Sequence, residues 1–215
     1  MSQIAKLDGP GGIKLARSRE PIVKANELLF VHFERPDIGK AERYLLDFGL
    51  TVVAKSEGEL FMRGTGSQPY IYRISIGPEA RFLGLGLSVP TKEDLQKLSK
   101  ASGRPVVPAN TPGGGSVVHL RDPEGVAVDV LHGFVPNKPL PVRSAIPHNA
   151  PNQIVRVNDT QRPALVPPQV TKLGHLVLEA LDFDVALTGF SPEEFPALTA
   201  KHTAGMSLIR PMRLV

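Results

Sequence analysis

The chain has 215 residues, of which 41% are hydrophobic and 21% are charged, so its composition is that of a globular protein rather than a disordered one. The 25 Lys and Arg residues exceed the 21 Asp and Glu residues only slightly, which does not indicate a nucleic-acid partner. Cysteine is absent, which excludes disulfides, thiolate nucleophiles and Cys-ligated metals and leaves His, Asp and Glu as metal ligands.

The N-terminal segment, residues 1–26, is polar and shows little periodicity, so we assign it no function. It lacks the continuous apolar core of a secretory signal. Elsewhere, no apolar run reaches the roughly 18–20 residues that a membrane span requires. We therefore expect a cytoplasmic protein that contacts neither a membrane nor nucleic acid.

A short β-type run begins at Glu27 and leads into an amphipathic stretch with apolar residues at helical spacing. Asp37 is typical of a helix N-cap and Gly49 of the residue that ends a helix, so a helix is predicted between them. Residues 51–64 then predict two short strands joined by a turn at Glu57-Gly58.

After residue 64 the sequence predicts two further strands, a second helix and then two more strands. The helix is predicted to begin near Thr91 and to end at Gly103. A tight turn at residues 122–125 joins the last two strands, because proline fixes φ and glycine tolerates a positive φ. Since a strand, a helix and further strands occur twice between residues 27 and 134, the unit is predicted to be internally duplicated. The strands are predicted at residues 69–77, 81–90, 116–122 and 126–134.

Residues 136–168 contain eight prolines among 33 residues and little apolar periodicity. Because each proline fixes φ, this stretch is predicted to be a semi-rigid, extended linker that crosses a surface. An apolar strand starts again at Val170, and residues 182–187 are typical of the opening of a helix. The predicted parts of the chain are residues 1–26, 27–134, 135–169 and 170–215.

Three of these features together resemble the vicinal oxygen chelate superfamily, which includes glyoxalases, bleomycin-resistance proteins and extradiol dioxygenases. They are the strand-to-helix step at Pro36-Asp37, the turn at 122–125 followed by VAVDV, and a second strand start after the linker. The resemblance is greatest to two-module catechol-type extradiol ring-cleavage dioxygenases and covers residues 27–187. It implies an α+β fold in which βαβββ modules pair into a curved mixed sheet, with the second module incomplete here.

The resemblance also implies a metal site. In the extradiol branch the first module has lost its ligands, and the second binds non-haem Fe(II) through two His and one Glu, leaving open positions for a diol and O2. His175 lies where the first ligand is expected, and a strand histidine bonded to the backbone is the alternative. The corresponding positions of the first module are Phe30, a position near Gly84, and Asp129. Asp129 could ligate a metal, but we expect it to lack partner ligands.

After Leu187 the family pattern ends, and the remaining His and Glu are missing. His202, the only later histidine, is expected to be a solvated residue of the tail. We therefore expect a truncated second module that binds iron weakly or not at all. Its apolar strand at 173–178 would be left uncovered, which predicts a homo-oligomer.

The other histidines are expected to be structural. His32 shares a strand face with Phe30 and is expected to be a hydrogen-bonded interior residue rather than a ligand. His119 and His132 flank the hairpin and form, with Asp129, the other group of His and carboxylate. Because Asp129 and His132 are three residues apart, they face opposite sides of the strand, which disfavours a shared metal.

Three functions are consistent with these patterns. The first is an extradiol dioxygenase that cleaves a small aromatic diol with Fe(II) and O2. The second is a non-catalytic module that binds an aromatic molecule or a partner, and the third is a glyoxalase-like metal-dependent isomerase. Iron content and oxygen uptake on catechols would distinguish the first two.

Overall fold

The computed structural model describes residues 22–122, 125–144, 147–158, 165–179, 198–200 and 206–209. Within these ranges the chain forms two α-helices and twelve β-strands, numbered here in chain order. The helices are α1 (Ile38–Asp47) and α2 (Lys92–Ser102). The strands are β1 (Val23–Ala25), β2 (Glu27–Arg35), β3 (Thr51–Lys55), β4 (Glu59–Arg63), β5 (Tyr72–Ile76), β6 (Arg81–Ser88), β7 (Val107–Pro108), β8 (Ser116–Arg121), β9 (Ala127–His132), β10 (Leu176–Glu179), β11 (Leu198–Ala200) and β12 (Met206–Ile209).

Eight strands form one mixed sheet in the order β3-β4-β5-β2-β6-β9-β8-β7. Its two halves repeat the same connectivity, β2-α1-β3-β4-β5 and β6-α2-β7-β8-β9, which confirms the predicted internal duplication. The first strand of each half pairs in parallel with the last strand of that half. The two first strands, β2 and β6, pair with each other in antiparallel orientation and join the halves at the middle of the sheet.

Both helices begin and end where the sequence predicts. The Asp37 side chain accepts a hydrogen bond of 2.8 Å from the amide three residues on, and Gly49 follows α1 with a φ of +98°. The Thr91 hydroxyl caps α2 in the same way at 3.1 Å, and Gly103 ends the helix with a φ of +65°. These are the local signals by which polar caps and left-handed glycines fix helix ends.

The two helices cover one face of the sheet. Leu95 and Leu98 of α2 are fully buried in one core cluster, and Ile38 and Leu45 of α1 are buried in another. The opposite face, called the helix-free face below, has a third cluster without helix residues. Its buried members are Leu29, Phe30, Phe61, Tyr70, Val117 and Leu131.

Part of the segment that the sequence indicates to be a polar lead-in is a strand. Val23 and Ala25 of β1 are 2% and 0% exposed and pack into the core cluster of α2. The strand pairs in parallel with β11, from the far end of the chain. A strand of three residues, with an exposed lysine in the middle, is too short for its periodicity to be detected in the sequence.

The described residues of the proline-rich segment are mostly exposed, and their only regular pairing is an isolated bridge between Ala150 and Gln153. The segment is attached to the loop that follows β4. Asn137 N donates to Ser67 O and Leu140 N donates to Thr65 O, both at 2.8 Å. The first residues of the linker are therefore hydrogen-bonded to the loop that follows β4.

The structure corrects the expectation of an uncovered strand at 173–178. Leu173, Leu176 and Leu178 are half-buried against the core cluster of α2, and β10 pairs in parallel with β12. Val177, which lies between Leu176 and Leu178, is exposed at 46%. The core cluster of α2 and the eight-stranded sheet covers the leucines of this segment. The sequence of the segment itself does not reveal this contact. The predicted helix opening at 182–187 and His202 lie outside the described residues.

Neither described helix is long and apolar enough to cross a membrane.

Arg63 ties the linker to the sheet, because its guanidinium donates hydrogen bonds to the carbonyls of Gly64, Gly66 and Lys138. We predict that Arg63→Ala makes proteinase K cleave within the linker about 2- to 10-fold faster, the range expected for the loss of one or two hydrogen bonds. Lys138→Ala is the matched control, since only its backbone carbonyl is bonded to Arg63. Equal cleavage rates in the two variants and the unmodified chain would contradict this anchoring.

Candidate functional site

The helix-free face brings together the positions at which the first module would carry metal ligands. Phe30 pairs with Gly86, and Gly86 pairs with Asp129, so the three lie in line across β2, β6 and β9. Gly84, near which the sequence places the second of these positions, lies two residues from Gly86 along β6 and pairs with His32.

An aromatic ring fills the middle of this face. Phe30 is 2% exposed, and a methyl group added to Gly86 would lie only 2.1 Å from a carbon of its ring. The same ring packs against Tyr70, with 4.8 Å between the ring centroids. Neither phenylalanine nor glycine has a donor atom in its side chain, so no metal can be ligated by these two residues.

Asp129 is paired with His119, one of the two histidines that the sequence groups with it. Its Oδ1 lies 2.6 Å from Nδ1 of His119, which is directly opposite on the antiparallel strand β8. The aspartate side chain is 18% exposed and the histidine side chain 62%. Gly125 N donates to Asp122 O and Asp122 N donates to Val126 O between the two strands, so counting outward from these residues along both strands is the signal that could have found the pair.

His32 is bonded within the fold, as the sequence predicts. Its Nε2 lies 2.8 Å from Ser75 Oγ on the neighbouring strand β5. The pKa of His32 is lowered from 6.5 to about 4, first by burial of the ring and next by the nearby Arg73, whereas Asp129, Glu59 and Glu34 act in the opposite direction. The ring is therefore neutral at physiological pH.

Arg73, on the same side of the face, is paired with Glu59. Its Nε donates to Glu59 Oε1 at 3.0 Å, and an Nη nitrogen contacts the same oxygen. The guanidinium carbon also lies 5.6 Å from the centroid of the Phe61 ring. The arginine is thus held in place by one carboxylate and one aromatic ring, and its charge is balanced.

The described residues do not fit a metal. His132 points away from Asp129, as its spacing predicts, and its Nδ1 lies 3.1 Å from Val89 O. In the described ranges no group of three or more His, Asp or Glu side chains is arranged to hold an ion. The centre of the helix-free face is occupied by the Phe30 ring, and the pair of His119 and Asp129 lies to one side of it.

His175 lies just before β10 and is exposed. The alternation of the strand turns Leu176 and Leu178 toward the core, so His175 and Val177 share the outward side. No described residue forms a hydrogen bond with the His175 ring. Its role as a ligand stays a prediction, and it provides one donor of the three that the implied site requires.

Comparison with solved structures identifies the fold. The Mn(II)-bound glyoxalase from Novosphingobium aromaticivorans matches with a TM-score of 0.63 and 15% identity, over 80% of this chain and 54% of that one. Homoprotocatechuate 2,3-dioxygenase from Brevibacterium fuscum, in complex with 3,4-dihydroxyphenylacetate, matches with a TM-score of 0.50 and 17% identity, over 58% of this chain and 42% of that one. The chain therefore has the vicinal oxygen chelate fold, an α+β arrangement of βαβββ units in a curved mixed sheet.

The chain spans about half the length of the solved structures that it matches. No family model matches the sequence, and neither does any curated protein. At this level of identity, the likeness shows the shared fold.

The packing of Phe30 against Gly86 gives a stability prediction. Gly86→Ala is expected to lower the free energy of unfolding by about 1–3 kcal/mol, because the new methyl group overlaps the ring. In a Phe30→Leu background the same substitution should cost less, since a smaller side chain leaves room. Urea unfolding of the four proteins of this double-mutant cycle measures the difference, and equal costs in both backgrounds would contradict the contact.

The lowered pKa of His32 gives a pH prediction. The unfolded chain binds a proton at this ring near pH 6.5 and the folded chain only near pH 4, so stability is complete above pH 6.5 and is lost as the pH falls toward 4. We expect a loss of about 1–2 kcal/mol, less than the full shift implies because solvent reaches part of the ring. His32→Gln should lose less stability between pH 7 and pH 4.5 in urea unfolding. An identical loss in the variant would assign the acid sensitivity to other groups.

Proposed function

We propose that this chain is part of an extradiol ring-cleavage dioxygenase, in which residues 27–134 form a metal-free module and the segment from Val170 begins the metal-binding module. The observation that supports this is the packed centre of the helix-free face. Phe30 fills the space between β2 and β6 where the first module would otherwise offer a ligand. A protein of this fold that uses a metal then needs its ligands in another module.

His175 is the proposed first ligand of that module. Its exposed ring is separated from the leucine side of β10, which supports a role other than packing. With two further donors, a His and a carboxylate, non-haem Fe(II) would have open positions for a diol and O2. The described residues supply one donor of the three, so they do not by themselves fit the ion, and we derive no reaction step through it.

Under this proposal the substrate is a small aromatic diol and O2 is the second substrate. The dioxygenase that matches this fold carries 3,4-dihydroxyphenylacetate in its structure, which supports the choice of diol. A cytoplasmic location and a homo-oligomeric state belong to the same proposal. Analytical ultracentrifugation of the purified chain measures its oligomeric state.

A glyoxalase-like isomerase is the second candidate. The Mn(II)-bound glyoxalase covers 80% of this chain, whereas the dioxygenase covers 58%, so its likeness extends over more of the chain. Both candidates use a divalent metal ion, and they differ in whether O2 is consumed. The non-catalytic module remains the outcome if no metal-dependent activity is found in a protein that still binds an aromatic molecule.

For the full chain we predict Fe(II) binding weaker than micromolar, since a single imidazole competes poorly with water for the ion. Anaerobic competition with a coloured chelator measures this affinity. His175→Ala should abolish the residual binding, and His148→Ala, which removes another exposed histidine, should leave it unchanged. Sub-micromolar affinity that persists in His175→Ala would overturn the role of His175.

The reaction class is tested separately on the iron- and manganese-loaded chain. Oxygen uptake with the absorbance of a ring-cleavage product on catechols would support the dioxygenase. Metal-dependent isomerisation without oxygen uptake would support the glyoxalase-like candidate. Metal binding with neither activity would contradict both.

A further inference from the structure

The proline-rich segment leaves the sheet and rejoins it at the same place. Leu140 N donates to Thr65 O at 2.8 Å where the segment departs, and Thr65 N donates to Val170 O at 2.8 Å where it returns. The residues between these two bonds, 141–169, are called the arm below. Because both ends of the arm are bonded to one residue of the loop after β4, the arm is an excursion from the surface.

The two legs of the arm are bonded to each other at the base. Gln169 Oε1 accepts hydrogen bonds from the backbone N of Arg143 at 2.8 Å and from its Nε at 3.2 Å. An Nη nitrogen of Arg143 also donates to Pro167 O at 3.3 Å. Farther out, Ala150 and Gln153 are joined by two backbone hydrogen bonds where the chain reverses direction. These bonds, together with prolines that restrict φ, hold the arm in an ordered shape.

The returning leg of the arm exposes apolar side chains to solvent. Leu165 is fully exposed, and Ile154 and Val157 are 75% and 74% exposed. The exposed apolar residues of this leg are Ile154, Val155, Val157, Leu165 and Val166. A concentration of exposed apolar side chains on one ordered loop is typical of an interaction surface.

A second exposed apolar feature lies on α1, next to the base of the arm. Tyr44 and Phe48 are 66% and 52% exposed, and their rings are stacked with 6.1 Å between the centroids. These two residues are called the aromatic ridge below. A methyl group added to Gly49, the residue after the ridge, would overlap the carbonyl of Pro168 in the arm. The base of the arm and the ridge are therefore neighbours, yet both remain exposed within one chain.

The charges of the arm and of the helix end that carries the ridge are complementary. Residues 141–169 contain three arginines and one aspartate, so the arm is basic. The last turn of α1 has no basic residue and ends with the exposed Asp47, whereas Lys40 and Arg43 lie in earlier turns. The carboxyl end of a helix also carries a partial negative charge. The ridge thus combines aromatic rings with a negative end, and the arm combines apolar side chains with positive charge.

We propose that the arm of one copy of this chain docks on the aromatic ridge of a second copy, and that the exchange is reciprocal in a twofold dimer. Since the base of the arm and the ridge of one chain lie side by side, a twofold axis beside them brings each arm to the ridge of the other copy. Aromatic side chains recognise proline-rich segments, whose restricted backbone loses little entropy on binding. The proposal rests on the homo-oligomeric state proposed above and names its surface. A dimer of this kind without metal-dependent activity would contradict the reaction class alone, and an active monomer would contradict the arm contact alone.

Analytical ultracentrifugation of the full chain over a range of concentrations tests the arm and the ridge separately. We expect a dimer whose Kd rises at least about tenfold in Ile154→Ser/Val157→Ser and in Tyr44→Ser/Phe48→Ser, because a few apolar anchors carry most of the affinity of an interface. Ile76→Ser is the matched control, since Ile76 is 54% exposed at the far end of β5 from the arm, and its Kd should be unchanged. A monomeric chain, or a Kd that either double variant leaves unchanged, would overturn the proposal.

The charge complementarity is tested by Asp47→Lys, which should weaken the dimer, against Glu57→Lys, an exposed carboxylate on the turn between β3 and β4 that should have no effect. Equal Kd values in these two variants would contradict the placement of the basic arm at the end of α1.

Because the chain contains no cysteine, introduced thiols report the contact directly. Ile154→Cys and Tyr44→Cys are made in separate chains, one of which carries a mass tag, so that any cross-link between them joins two copies. With a bismaleimide, the mixed product should form at least about tenfold faster than it does from Ile154→Cys and Ile76→Cys, since docking raises the local concentration of the two thiols. Equal rates would overturn the proposal. Each of these chains has one exposed substitution, so the cross-link decides even if a double variant fails to fold, which thermal unfolding checks.

Discussion

An aromatic ring resting on a glycine holds the middle of this sheet. Strands β2 and β6 are the seam between the two βαβββ halves, and Phe30 of one lies over Gly86 of the other, where no larger residue fits without displacing the ring. The ring therefore fills the middle of the helix-free face, where side chains with metal-binding atoms could otherwise meet. Polar groups are consequently found to the sides, with His32 and Ser75 in one half and Asp129 and His119 in the other.

Two side-chain pairs on this face each lie within one half of the sheet. Arg73 is bound to Glu59 on the neighbouring strand, and His119 to Asp129. Such short-range pairing stabilises the separate halves, and it uses the side chains that would otherwise be available to bind an ion between them.

Local signals in the sequence predicted the local structure. Asp37, Gly49, Thr91 and Gly103 fix the helix ends through one hydrogen bond or one backbone angle each, so they can be recognised without knowledge of the rest. The pair of Asp129 with His119 depends on strand register, and the cover of residues 173–178 depends on a distant core. The pair follows from the sequence only once the register of β8 and β9 is known, whereas the cover of residues 173–178 has no signature in that segment. The candidate metal ligand His175 came from the family resemblance alone.

The pairing of β1 with β11 has a consequence for biosynthesis. Val23 lies opposite Leu198, so β1 can pair with β11 only after a much later part of the chain has been synthesised. Until then the eight-stranded sheet can fold, but β1 lacks the strand that pairs with it. Contacts between segments so far apart in the chain form late because loop closure has to precede them. A nascent chain that stalls before residue 198 therefore carries β1 without this pairing strand.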